Sequence, residues 1–273
     1  TLPASLSSFS VLDMMVEIMM NTSYYPSLRT IVVAGHSAGG QIVQRYALAS
    51  GLWPRAGVAI RYFPANPSSY TYLTSLRPEQ RSPWSCEGFC DNTTLLHRNW
   101  SFARPAPPAV AACPYFDAYG YGLSGHLPPY LAARGVAAMV RAFGQRSVTF
   151  LSGSSDVCDE PFMRKAHCTP GCDPYDGGLD TSCEAYLQGK CRMHRAHAYA
   201  QYTRLLYAGA APHRLVAIPD VGHSGCAVFQ SPAALAASIV TISGTISQET
   251  SVSHVDTKGN HTTAHAASVH RVL

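Results

Sequence analysis

Five residues, Gly35-His36-Ser37-Ala38-Gly39, join an apolar, β-branched run at 30–34 (TIVVA) to an amphipathic stretch at 38–50 (AGGQIVQRYALAS). A short continuous apolar run of this kind is typical of a strand buried on both faces of a parallel sheet. The stretch after it reads as a helix that stops at Gly51. A serine between the two sits on a sharp strand-to-helix turn with strained backbone angles. Side chains two positions before and after it would collide with neighbouring backbone, which accounts for Gly35 and Gly39. The turn also places Ser37 at a helix N-terminus, where the dipole favours developing negative charge. An inert serine in a glycine-rich turn is the plain alternative, and the strand and helix on either side argue against it.

The remaining pattern extends this local reading to a fold class. Residues 8–20 read as a helix with Phe9, Leu12, Val16 and Met19 at helical spacing and Ser7 or Ser8 as its cap. Further strands are expected at 57–63, 147–151 and 214–218, and further helices at 131–143, 192–208 and 232–242. Alternation of this kind builds an α/β architecture, a parallel sheet with helices on both faces. Regular patterning fades at 74–127, read as a cap or loop insertion, and a Cys-rich excursion occupies 157–191. Residues 1–240 are expected to form the folded domain. The tail at 241–273, rich in Ser, Thr and His without apolar period, is expected to be disordered.

The turn fits G-x-S-x-G and is followed by Gly40, and in its strand–turn–helix setting it resembles the α/β-hydrolase superfamily, in the GHSAGG form of serine esterases and lipases. The resemblance covers about residues 8–240. It implies a triad in the chain order nucleophile, acid, histidine. Ser37 is then the nucleophile, and the acid belongs after a following strand, where 147–151 leads into Ser152-Gly-Ser-Ser-Asp156. Asp159 is the competing acid, farther from the strand end. The histidine belongs after the last strand, where Pro219-Asp-Val-Gly precedes His223. In that scheme His223 removes the Ser37 proton, Asp156 orients the imidazole, the N–H of Ala38 donates to the oxyanion, and His36 supports the turn. The implied function is a serine hydrolase acting through an acyl-enzyme on carboxylic esters or lipids, with no cofactor. A transferase or lyase would keep the same triad, and a binding or adhesion domain without catalysis would share the fold. Family members carry several strands before the nucleophile strand, and a loop there bears another oxyanion donor. This chain starts one helix before that strand, so a fragment or truncated gene model is expected.

Composition bounds the setting. Charged residues make up 13% of the chain and the formal net charge is +4, without a Lys/Arg-rich run, so no nucleic-acid surface is indicated. No apolar run is long enough to cross a bilayer, and no signal peptide is visible in this chain. The 9 cysteines, with Cys158, Cys168, Cys172, Cys183 and Cys191 close together, and the sequons at Asn21, Asn92, Asn99 and Asn260 point to a secretory history. The spacings Cys86-x3-Cys90 and Cys168-x3-Cys172, with His167 beside one pair, are too loose for structural zinc, and disulfides are expected instead. A Cys158–Cys183 bridge and a buried, reduced Cys226 are expected. The aromatic residues Trp84, Trp100, Tyr115, Tyr119 and Tyr121 either line an acyl pocket or pack the cap on the sheet, and packing is the preferred reading. Asn66 and Ser68 fall at the sheet edge where the site belongs.

Overall fold

The computed structural model describes residues 6–55, 57–79, 99–157, 178–239, 253–255 and 261–263. The chain divides into two compact units, Thr1–Ala237 and Ser238–Leu273.

Four strands form a parallel sheet: β1 (Thr30–His36), β2 (Ala59–Ala65), β5 (Ser147–Gly153) and β6 (His213–Ile218), in that spatial order. Strands β2 and β5 lie in the centre and are buried along almost their whole length. Their side chains alternate between two cores, as the pleat requires. Ile60, Tyr62, Val148 and Phe150 join one cluster, while Phe63, Ala65 and Leu151 join another on the opposite face. The first face is covered by α2 (Ala38–Ala49) and α7 (Arg192–Leu206), through Val43, Tyr46, Ala47, Ala196, Tyr199 and Tyr202. The second is covered by α8 (Gly225–Gln230) and α9 (Pro232–Ile239), through Val228, Ala234 and Ala237. Burying one side chain such as Phe150 contributes about 1.5–3 kcal/mol. The expected α/β-hydrolase sheet with helices on both faces is therefore present. Strand β1 lies at one end of the four described strands, and its burial is one-sided rather than on both faces as its apolar run suggests, with Ile31 buried and Val32 47% exposed.

Helix α1 (Ser8–Met19) starts at Ser7, whose Oγ accepts from the Phe9 N–H. It buries Phe9 and Val16. Asp13 pins it to its neighbours by accepting from the hydroxyls of Tyr46 (2.8 Å), Ser50 (2.9 Å) and Tyr130 (2.5 Å).

Between β2 and β5 the described residues are largely irregular. Strands β3 (Arg77–Pro78) and β4 (Phe102–Ala103) pair antiparallel, and α3 (Pro107–Ala112) follows. Arg77 anchors this segment. Its buried guanidinium lies 4.4 Å from the Tyr72 ring centroid and donates to the carbonyls of Phe116 and Tyr121 and to Asp117. The helix expected at 131–143 is two helices, α4 (Pro129–Ala132) and α5 (Val136–Phe143). Gly135, with φ of 75°, divides them, because a left-handed residue cannot continue a right-handed helix.

The expected Cys158–Cys183 bridge is not formed. Cys183, which opens α6 (Cys183–Tyr186), bonds to Cys113 at the end of α3. A pairing across 70 residues depends on which loops the fold brings together, which local spacing does not encode. Cys226 is free but exposed rather than buried, because it lies on the outer side of α8, whereas Cys191 is the buried free thiol. Cys86, Cys90, Cys158, Cys168, Cys172, His167, Asp159, Trp84, Asn92 and Asn260 lie outside the described residues. Among the described residues, no helix is long and apolar enough to cross a membrane. In the second unit, β7 (Ser253–Val255) and β8 (His261–Thr263) pair antiparallel, and the rest of the expected tail lies outside the described residues.

Candidate active site

Ser37 stands between β1 and α2 with φ of 57° and ψ of −119°, a costly conformation for a residue with a Cβ. The surrounding backbone holds it there. Its N–H donates to the Ala65 carbonyl at 2.9 Å, and its own carbonyl accepts from Gln41 at 3.0 Å. A Cβ on Gly35 would meet the Gly39 carbonyl oxygen at 2.5 Å, so that glycine is required, as expected. Gly39 is not: a Cβ there meets nothing within 4 Å. The second tight position is Gly40, whose Cβ would lie 2.5 Å from the Ala65 carbonyl oxygen. The helix turns Gly40, one residue later, to face β2. Ala38 is the first residue of α2, so its N–H has no acceptor inside the helix and points toward the turn.

Asp156 lies in the turn after β5. Its N–H donates to the Gly153 carbonyl at 3.2 Å. His223 lies in the turn after β6. Its Nδ1 is 2.8 Å from Asp156 Oδ2, and its Nε2 is 2.9 Å from Ser37 Oγ. A carboxylate only accepts, so Nδ1 donates, and Nε2 presents its lone pair to the serine hydroxyl. Three side chains from three separate strand ends therefore form one chain of hydrogen bonds.

Two further side chains neighbour this chain, Arg192, which went unread in the sequence, and His36, which was expected to support the turn. Arg192, the first residue of α7, places Nη1 3.4 Å from Asp156 Oδ1, with both side chains fully buried. The carboxylate thus has a basic partner on each oxygen, one of them a permanent cation. In sequence, 192–199 (RMHRAHAY) carries several basic residues and no apolar stripe, so nothing in it reads as interior. His36 lies against His223 with ring centroids 4.4 Å apart and the ring planes tilted by 40°. Burial first, and the adjacent His223 second, push the His36 imidazole down to about 4. It is neutral at physiological pH and packs against the His223 ring as an apolar plate.

Ser68 braces a neighbouring segment, accepting from the Asp180 N–H at 2.6 Å and donating to the Gly178 carbonyl at 3.2 Å. Asn66 follows β2 directly and is 1% exposed. Trp100 packs with Val157, Cys191, Met193 and Ala198. Tyr119 leans on the main core, the Tyr121 hydroxyl donates to Asp180 at 2.8 Å, and Tyr115 is exposed. The Cys113, Cys183 and Glu184 grouping has both sulfurs in the disulfide, so it offers a metal no thiolate.

Comparison with protein families matches residues 9–238 to the alpha/beta hydrolase family. No curated protein matches the sequence. Among solved structures, the chain is similar to poly(aspartic acid) hydrolase-1 from Sphingomonas sp. KT-1, at 21% identity and a TM-score of 0.48, over 86% of this chain and 63% of that one. It is also similar to a poly(3-hydroxybutyrate) depolymerase from Bordetella parapertussis, at 20% identity and a TM-score of 0.46, over 85% of this chain and 56% of that one. The chain spans less than two thirds of the length of either structure.

Proposed function

We propose that this chain, which belongs to the alpha/beta hydrolase family, is a serine hydrolase of carboxylic esters or lipids that works through an acyl-enzyme. One observation carries the reading. His223 Nε2 stands 2.9 Å from Ser37 Oγ while Nδ1 stands 2.8 Å from Asp156 Oδ2.

The chemistry follows from those two contacts. His223 Nε2 takes the hydroxyl proton as Ser37 Oγ attacks the substrate carbonyl carbon, and the carbonyl oxygen becomes an oxyanion. The Ala38 N–H and the N-terminal dipole of α2 stabilise that charge. Asp156 stabilises the imidazolium and holds its ring orientation. The tetrahedral intermediate collapses, the C–O bond to the leaving alcohol breaks, and His223 returns the proton to that oxygen. Water, deprotonated by the same nitrogen, then releases the acid and restores Ser37. No metal or cofactor enters this scheme.

A secretory setting is part of the proposal. The Cys113–Cys183 bridge needs an oxidising compartment to form and persist. The sequon residues Asn21 and Asn99 are exposed and open to glycosylation.

The test is fluorophosphonate labelling of the secreted protein, with mass mapping of the modified residue and p-nitrophenyl ester turnover on the same sample. The expected result is label on Ser37 and turnover that falls by at least about 10⁴-fold in Ser37→Ala. A folded protein that neither labels nor turns over ester refutes the reading and makes the chain a binding domain.

A further inference from the structure

We infer that Asn66 is a positioning residue that locks the turns carrying Ser37, Asp156 and His223 into one register. The inference rests on the proposed roles of those three residues.

The place of Asn66 follows from the sheet. Strand β2 lies between β1 and β5, with Ala65 opposite both His36 and Leu151. Beyond the last paired residues, the ladder continues for one step on each side. Ser37 N–H donates to the Ala65 carbonyl at 2.9 Å, and Asn66 N–H donates to the Leu151 carbonyl at 3.0 Å. The end of β2 is thus the backbone hub between the nucleophile turn and the acid strand.

At that hub the chain turns left-handed, with φ of 43° at Asn66. Asn tolerates this region better than most side chains. The turn sends the amide toward the other two loops. Oδ1 accepts from the Gly153 N–H at 2.9 Å, and Nδ2 donates to the Gly222 carbonyl at 3.3 Å. Each contact is one peptide or one hydrogen bond from the chemistry. The Gly153 carbonyl accepts from the N–H of Asp156. Gly222 immediately precedes His223.

The two loops are also stitched to each other. Ser154 N–H donates to the Ile218 carbonyl, Ser155 N–H to the Val221 carbonyl, and Asp220 N–H to Ser154 Oγ. They run so close that a Cβ on Gly153 would lie 2.2 Å from the Val221 oxygen. These bonds fix the acid and histidine turns relative to one another. The Asn66 amide fixes that pair relative to the strand end that holds Ser37. Its two ends differ in kind, one acceptor toward an N–H and one donor toward a carbonyl, and an amide supplies both in a single short side chain. A positioning error of about 1 Å between reacting groups can reduce rate about 100-fold.

Two variants separate this role from simple support of the fold. Asn66→Gly keeps the left-handed turn at lower strain and deletes both side-chain bonds. Asn66→Asp keeps the acceptor for Gly153 but, when ionised, sets an oxygen against the Gly222 carbonyl. When protonated, its hydroxyl donates there again. The readout is the second-order rate of fluorophosphonate labelling, with kcat and KM for a p-nitrophenyl ester and a thermal melt on each sample. Asn66→Gly is expected to label about 10- to 100-fold more slowly, with kcat reduced and KM little changed. Asn66→Asp, whose carboxylate sets an oxygen against the Gly222 carbonyl, is expected to label more slowly than wild type at neutral pH. Labelling of Asn66→Gly at the wild-type rate overturns the inference. If that variant does not fold, labelling of Asn66→Asp at the wild-type rate overturns it. Ser37→Ala runs alongside: if it labels like wild type, the serine-hydrolase reading fails and the inference falls with it. If its label is lost while Asn66→Gly labels normally, only the role of Asn66 is refuted.

Discussion

Two adjacent glycines give the turn its sharpest test, because the structure assigns them opposite signs. Replacing Gly40 with Ala puts a methyl 2.5 Å from the Ala65 carbonyl oxygen and 3.2 Å from the Ala65 nitrogen and the Gly35 oxygen. All three atoms are backbone, held in the centre and edge of the sheet, and none belongs to a side chain that can rotate away. An ordinary contact is near 3.5 Å or beyond, so α2 must move off β2 by about 1 Å. Overpacking of this kind costs about 1–3 kcal/mol. Replacing Gly39 with Ala meets nothing within 4 Å. At that helical position the methyl lowers unfolded-chain entropy and adds helix propensity, a gain of about 0.5–1 kcal/mol. A domain of this size shifts its melting midpoint by about 2–4 °C per kcal/mol. Gly40→Ala should therefore melt roughly 2–12 °C lower, and Gly39→Ala about 1–4 °C higher. Thermal circular dichroism on the three proteins decides it. If Gly39→Ala melts as low as Gly40→Ala, the reasoning from the Cβ positions is wrong.

Two further outcomes follow from buried groups and the crosslink. Burial lowers His197 to about 4, and burial with His223 lowers His36 to about 4, so the unfolded chain takes up protons first as pH falls. Stability from these neutral imidazoles is complete above about pH 6.5 and is lost toward about pH 4, at up to about 1.4 kcal/mol per pH unit for His197 and less for the partly solvated His36. Urea titrations across that window should show the slope, and His197→Leu should flatten it; an unchanged slope refutes the assignment. The Cys113–Cys183 bridge closes a loop across 70 residues, and chain-entropy arguments assign it about 4 kcal/mol. Cys113→Ser with Cys183→Ser should melt about 8–16 °C lower, and a melt within 2 °C of wild type would refute that value.

Local pattern and tertiary partner were not equally legible. The strands were readable at 57–63 and 147–151 because a central parallel strand is buried on both faces and is largely apolar, even though β2 and β5 also bury Arg61, Thr149 and Ser152. The serine turn, the aspartate after β5 and the histidine after β6 were readable because each lies in the turn that follows a strand. Gly39 misled, because the five-residue pattern does not say which of two successive glycines the helix turns toward β2. Arg192 was hidden for a similar reason: a buried cation and a surface cation look alike until the carboxylate beside it is known. Cys113 pairs with a cysteine far along the chain, and only loops folded together reveal it. Asn66 was noticed for its position after β2, but its two partners, Gly153 and Gly222, belong to turns that sequence does not place side by side.

The contact between Ser37 and His223 spans 186 residues. A ribosome adds about 5–20 residues per second. The serine therefore leaves the ribosome about 10–40 s before the histidine that would activate it. Asp156 comes between them and cannot act on Ser37 without that imidazole. On the proposed roles, the growing chain thus carries its nucleophile without the base until residue 223 has been added. On the proposed mechanism, hydrolysis can begin only when β6 has paired with β5 and the turn after it has brought His223 to Asp156 and Ser37.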